Sequence, residues 1–331
     1  ACVFVPAGVQ IKSTVQVLFC QVPEELIRNE AAQGEGSKGS EGSDGFGVEK
    51  EVLSSYPRLN VILGEGSSLR LKQSHHTISP YTYKKSNHYS FAAGSTRIQL
   101  RAAAQMQHTY VQGSTGSHTE VIVANLTGSD SRYDLSVLQY GANASRINVH
   151  IDIQQTQSNC TLNGVTLSGR GQSLDLHSSI RHNATAGVSR QQHRNIVGEG
   201  AEAIFKGRIR IPSQAQRTDS DQLCKSIMLG QRAHLHVMPT LEISADDIAC
   251  SHGASVTDLD DNSVFYLAAR GISRLEARRI LLHGFVFDLL KNAHLDGNDL
   301  LLVQRKLHSI YSDEQLTTGV AARGSHSYVS I

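Results

Sequence analysis

The chain has 331 residues and no tryptophan, and its aromatic residues amount to only 5%. A globule built round large rings is a poor fit to that composition. Val, Ile, Leu and Ala suit thin, narrow cores better. Cysteine is scarce and dispersed. Cys2, Cys20, Cys160, Cys224 and Cys250 are odd in number and form no close pairs, so they give no CxxC zinc or cluster signature and do not read as a disulfide framework. A reducing compartment is the plainer setting. Charge is low as well, at 18% of residues with a formal net charge of +1, which gives no steering toward nucleic acid or an anionic membrane. The best apolar run, Ile280 to Leu290, is short and broken by His283 and Asp288, so no membrane span is expected. GxxxxGK[ST] is missing, and Gly64-Glu65-Gly66 is a turn signal without the lysine that phosphate chemistry needs. No nucleotide is therefore expected on this chain.

What is present is mainly strand text. Val3 to Val5 and Val15 to Phe19 are short apolar strands on either side of the turn-like Pro6 to Gly8. A chain that starts directly in a strand, with no charged leader, reads as a fragment or processed form. Residues 34–47 are dominated by Gly, Ser and acidic residues and read as a flexible loop inserted between strands. From Asn60 to Ile211 short runs of period two follow one another, punctuated by Gly, Asn and Ser. They include Val61 to Leu63, Leu69 to Leu71, Glu120 to Ala124, Arg146 to Ile153, Leu162 to Leu167, Leu174 to Ile180 and Ile204 to Ile211. That pattern predicts an all-β domain, either a sandwich, a barrel or a solenoid, and no strict sequence repeat decides among them. Near the C-terminal end, Ser273 and Glu276 make a capping box. Leu275, Leu282, Phe285, Val286 and Leu289 recur on one face, which predicts a helix over Arg274 to Leu290. A second helix is expected around Asn298 to His308.

The passage from His193 to Leu290 closely resembles the SufB/SufD family of iron-sulfur cluster assembly proteins. The resemblance is carried by Glu202-Ala203-Ile204-Phe205-Lys206-Gly207-Arg208-Ile209, by Ala215-Gln216-Arg217-Thr218-Asp219, and above all by Leu241-Glu242-Ile243-Ser244-Ala245-Asp246-Asp247-Ile248-Ala249-Cys250-Ser251-His252-Gly253-Ala254. Phe265-Tyr266-Leu267 and Arg270-Gly271-Ile272 complete it. Cys250 to Ala254 resembles SufD, where SufB relatives carry a Glu-His-Glu-Ala type of sequence. The resemblance implies a right-handed parallel β-helix, a solenoid, with a small C-terminal helical domain. On that reading residues 1–250 form the scaffold domain. Residues 251–331, mostly helical from about residue 273, dock an ATPase of the SufC type. The helical N-terminal region usual in the family has no match here.

The function so implied is that of a non-catalytic SufD-like subunit of a SufB-SufC-SufD complex. It would share a transient iron-sulfur cluster with SufB, and in isolation its SufB-facing surface could close a homodimer. Its place would be the cytoplasm of a bacterium or the plastid of a photosynthetic eukaryote. His252 matches the SufD histidine that faces the SufB scaffold cysteine, and a neutral imidazole facing a thiolate is a sound mixed site for iron. The competing reading of His252 is a turn cap beside Gly253 or a packed neutral histidine. Cys250 lies two residues earlier, on the same face of an extended strand, as a sulfur ligand or as a buried structural thiol. Cys224 opens Cys-Lys-Ser-Ile-Met-Leu-Gly, which resembles SufB locally, so it stands as a third candidate ligand or as packing. It is the main support for the alternative of a SufB-like subunit that itself holds the cluster; a purely structural partner is the other alternative. No motif places a flavin. The remaining histidines, His75, His76, His108, His118 and His193 among them, are scattered and define no closed metal site. His234 and His236 read as surface residues beside Met238, and Cys160 as structural. Asp246 and Asp247, adjacent on a presumed strand, would face opposite ways and make a poor acid/base pair.

Overall fold

The computed structural model describes residues 1–21, 52–77, 89–291, 293, 295–318 and 329–330. The expected insertion at residues 34–47 lies outside them. Two parallel sheets face each other. One follows the order β1 (Cys2–Val5), β4 (Arg58–Leu63), β6 (Tyr89–Leu100), β8 (Ser117–Leu126), β10 (Ala144–Ile153), β12 (Ser173–His182), β14 (Glu202–Ile211), β16 (His234–Ile243) and β18 (Val329–Ser330), with β3 (Val52–Ser55) also on β6. The other runs from β2 (Gln10–Gln21) through β5 (Ser68–Thr77), β7 (Gln105–Gln112), β9 (Arg132–Gln139), β11 (Asn159–Ser168), β13 (Val188–Val197) and β15 (Thr218–Met228) to β17 (Ile248–Thr257). The chain crosses from one sheet to the other after nearly every strand, so each full turn takes about 30 residues, and the result is a right-handed β-solenoid.

Period two does the sorting. In β10 the residues Ser145, Ile147, Val149, Ile151 and Ile153 are buried while those between them face outward or sit half-buried. The register then stacks inward residues into columns. One column reads Glu120, Ile147, Leu176, Phe205 and Val237. No side-chain type repeats along it, which is why no sequence repeat marks a solenoid whose backbone repeats at every turn.

The second sheet departs from simple alternation. Val111, Leu138, Val165, Leu167, Ile196 and Ile227 are buried on its outer face as well. They are covered by α2 (Arg274–Leu290) and α3 (Gly297–Thr318), through Leu282, Val286, Leu289, Val303, Leu307 and Ile310. A sheet covered on both faces needs apolar residues at consecutive positions, and these strands have them. The Ser273 hydroxyl accepts from the Glu276 N–H, so α2 starts at the capping box read from the sequence. A further helix, α1 (Asp261–Ala268), capped by Asp260, precedes it; the helical part thus begins before residue 273.

A buried ion pair pins the helices to the solenoid. Lys72 of β5 is 5% exposed and donates to Asp296 at 2.6 Å; it also pairs with Asp299, itself 3% exposed. Burial works against the Lys72 charge, but hydrogen bonds to Asp296 and Asp299 outweigh it and raise its pKa above 10.5. The same ammonium holds the Asp296 carboxyl below 3.8. Arg194 of β13 adds a bond to Asp288 at 2.7 Å and another to the Phe285 carbonyl.

Replacing Lys72→Met leaves Asp299 buried without a counter-ion, and urea unfolding should show a loss of roughly 3–5 kcal/mol. Adding Asp299→Asn should restore most of it; a loss under about 1 kcal/mol in the single variant would contradict this anchoring role. The pH dependence follows from both shifts. The Asp296 contribution is present above pH 3.8 and is lost as pH falls through its depressed value; the Lys72 contribution is present below pH 10.5 and is lost as pH rises through its raised value. Helix docking, followed by tyrosine fluorescence, should therefore be strongest between those limits.

Candidate functional site

At the C-terminal end of the solenoid β17 has β15 on one side and, among the described residues, no strand on the other. Ser220 pairs with Cys250, Gln222 with His252 and Cys224 with Ala254. Ser220, Gln222 and Cys224 point into the lumen, so Cys250 and His252 occupy the continuation of the lumen wall on the last rung. Cys250 is half-buried against the core and His252 is exposed. Burial raises the Cys250 thiol pKa, with the Ser220 backbone working against it. Cys224 lies one rung deeper and fully buried. Its sulfur takes a hydrogen bond from Asn195 Nδ2 at 3.4 Å and lies 3.8 Å from Ser226 Oγ, and burial pushes its pKa up to about 12. The strand thus puts Cys250 and His252 side by side, while Cys224 is held by Asn195 and Ser226.

The remaining sequence candidates fall into place around this frame. Cys160 is buried with its pKa pushed up to about 12, as a structural thiol should be. His234 and His236 lie on the outer face, His236 being 3.8 Å from Glu202. Asp246 and Asp247 stand in the exposed bend between β16 and β17 rather than on a strand, which corrects their expected placement but still leaves them no shared site.

Sequence reasoning missed the polar lumen. Two of the scattered histidines, His75 of β5 and His118 of β8, meet Glu120 of β8 inside the solenoid, with one ligand atom from each within 4.8 Å of the others. This corrects the expectation that the dispersed histidines define no metal site, because register and not spacing brings them together. His75 Nε2 lies 3.7 Å from Glu120 Oε2 and accepts from the Gln73 amide at 3.0 Å. Thr96 Oγ1 bridges Glu120 Oε1 at 2.8 Å and Gln73 Oε1 at 3.0 Å, and Tyr110 Oη sits 2.7 Å from His118 Nε2. Burial pushes the Glu120 carboxyl up to about 8, against the polar groups Thr96, Gln73 and Tyr110. Desolvation lowers His75 to about 2 and His118 to about 4. Gly94, the register partner of Glu120, leaves the space its carboxylate fills; a Cβ there would lie 1.7 Å from Oε2. One signal was legible: His118 and Glu120 are in phase with Ile122 and Ala124, so the alternation itself places them indoors.

A second lumen group lies nearer β17. His193 stacks on Phe205 at 4.6 Å, with Thr166 at 3.2 Å and Asn195 Oδ1 at 2.9 Å from its Nε2, and is the register partner of Cys224. Gly164 opens the space for its ring, since a Cβ there would come within 2.1 Å.

These features define a right-handed parallel β-solenoid with a helical cap, a polar lumen and a cysteine-histidine pair on its last rung. A family model described as SUF system FeS cluster assembly, SufBD core domain, matches residues 46–285, and the chain belongs to this family. It is 29% identical over 292 residues to a SufBD family protein of Synechocystis, covering 88% of this chain and 59% of that relative. It is 29% identical to the chloroplastic protein ABCI7 of Arabidopsis thaliana, covering 76% and 52%, and 26% identical to the iron-sulfur cluster assembly protein SufD of Escherichia coli, covering 75% and 57%. The chain therefore spans a little over half the length of these relatives.

The thiols should differ in reactivity. Mild alkylation of the native chain, followed by mass spectrometry, should modify exposed Cys2 and Cys20 first and Cys250 more slowly, and should spare Cys160 and Cys224 until the chain unfolds. Labelling of Cys224 at the rate of Cys20 would contradict the burial that raises its pKa.

Proposed function

We propose that this chain is a SufD-like, non-catalytic scaffold subunit that contributes His252, with Cys250 beside it, to a nascent iron-sulfur cluster shared with a SufB-like partner. The observation that carries this reading is the last rung. Cys250 and His252 continue the lumen wall on a strand whose outer edge has no described partner, so a second subunit can reach them. The exposed imidazole supplies a nitrogen ligand and the partner supplies a thiolate, a mixed ligation that favours transfer over permanent storage. The match to SufD-named relatives supports the assignment. Cys224 remains the least accessible of the three candidates, which favours the SufD-like role over a SufB-like subunit that ligates the cluster itself.

The helical cap is the docking element for a SufC-like ATPase. One face of α2 is spent on the sheet, while Leu275 and Ile280 stay exposed on it, and Phe265 and Tyr266 stay exposed on α1. Nucleotide turnover belongs to that partner. The setting would be the cytoplasm of a bacterium or the plastid of a photosynthetic eukaryote, and without its partner the chain would pair with itself through the β17 end.

The test is anaerobic reconstitution with SufB- and SufC-type partners, read by absorbance and Mössbauer spectroscopy. His252→Ala should lower cluster retention about tenfold or more while the complex still forms, and Cys224→Ala should stay near the intact chain. Full cluster content in both variants would leave the chain a purely structural partner; loss in Cys224→Ala alone would favour the SufB-like role.

A further inference from the structure

The lumen triad lies far along the solenoid from the β17 end and belongs to no part of the proposed shared site. His75 is 3% exposed, His118 3% and Glu120 1%, on strands of the two facing sheets. A polar cluster this deep is costly unless every atom finds a partner. Here two do not: Glu120 Oε2 and His118 Nδ1 have no hydrogen-bond partner. The other atoms of the same groups are held by neighbours, Glu120 Oε1 by Thr96 and His118 Nε2 by Tyr110. One atom bound and oriented while another is left open is the arrangement seen round metal ligands, where a second group fixes each ligand through its other atom.

The donor set has a defined preference. Two imidazoles and one carboxylate form the ligand set of non-haem iron(II) sites and of His2Glu zinc sites with an open coordination position. His75 Nε2 and Glu120 Oε2 are 3.7 Å apart, and all three donors fall within 4.8 Å; the Gln73 amide that His75 Nε2 accepts from must turn aside for that lone pair to meet the ion. Donors about 2.1 Å from one tetrahedral ion stand about 3.4 Å from each other, so the triad closes by an inward rotation of its side chains. There is also a way in. A cleft of about 440 Å³ has His75 in its wall, together with Phe19, Cys20, Tyr56 and His76. Phe19 stacks on the His75 ring at 4.9 Å, so the ring is reached from the cleft side past an aromatic neighbour.

We propose that His75, His118 and Glu120 bind one divalent first-row transition ion, iron(II) or zinc, inside the solenoid, with the cleft beside Phe19 as its access route.

Cobalt(II) is the probe. The 331-residue chain, stripped with chelator and kept anaerobic, should take up one equivalent of cobalt with the visible ligand-field bands of a low-coordinate nitrogen and oxygen site, and zinc should displace it. His75→Ala and Glu120→Gln should each weaken binding about tenfold or more, while the exposed-site control His234→Ala should bind as the parent does. Circular dichroism checks that each variant keeps the solenoid. If a variant fails to fold, zinc-soaked crystals of the parent chain decide the matter by anomalous scattering: a peak between the three side chains supports the site, and a peak elsewhere or none overturns it. No cobalt uptake by the folded parent, or undiminished uptake in both folded variants, would each overturn it too.

Discussion

In a solenoid whose successive turns lie in register, each backbone N–H and C=O of one rung is answered by the rungs above and below it, and no strand inside the stack has a free edge. Every other contact in this molecule takes its terms from that ladder. The ladder fixes which residues meet, because a register shift by one would turn each inward column out to solvent. It also makes the meeting independent of side-chain type, so the column through Glu120 passes on to Ile147, Leu176, Phe205 and Val237 without loss of pairing. A fold held by its backbone can carry polar groups indoors that a conventional core would have to exclude.

That tolerance has a local condition. Some large polar side chains fit the narrow lumen because an adjoining position is small, as Gly94 is beside Glu120 and Gly164 beside His193. Glycine weakens a strand on its own account, through lost entropy and missing packing, and here the neighbouring ring or carboxylate fills the space it leaves. The lumen is therefore organised as polar patches separated by aliphatic rungs. The aliphatic positions, such as Ile147, Val149, Ile151 and Leu176, supply buried apolar area between those patches.

Much of this architecture was legible in the sequence, and the limits of legibility are physical. Arg146 to Ile153 and Leu174 to Ile180 alternate so cleanly that β10 and β12 exceed the sequence reading by only a few residues. The capping box at Ser273 marked the start of α2 because a cap is a local device. Helix α1 escaped notice because it buries a single residue, Val264, and so presents no apolar stripe. The His75, His118 and Glu120 cluster escaped for a different reason: His75 comes from β5 and the other two from β8, on the facing sheet, and no local pattern encodes that meeting. His252 was found through the family resemblance, and Cys250 through its spacing of two on the same strand, which is local. Their common face follows from the pleat alone.

The same burial that steadies the solenoid limits what its own thiols can do. Cys160 and Cys224, both inside, have their pKa pushed up to about 12 by burial, so without a bound metal they rest as neutral thiols near neutral pH. Bringing a cation to Cys224 would also mean breaking its contacts with Asn195 and Ser226 behind a complete β17. Burial relaxes only at the last rung, where Cys250 is half-buried and His252 is exposed. A soft ligand at that rung must come from Cys250 or from a second chain, whereas an imidazole needs no deprotonation to serve at neutral pH. This is the physical case for the proposed divided site, in which the solenoid would offer nitrogen at its open end and the thiolate would arrive with the partner.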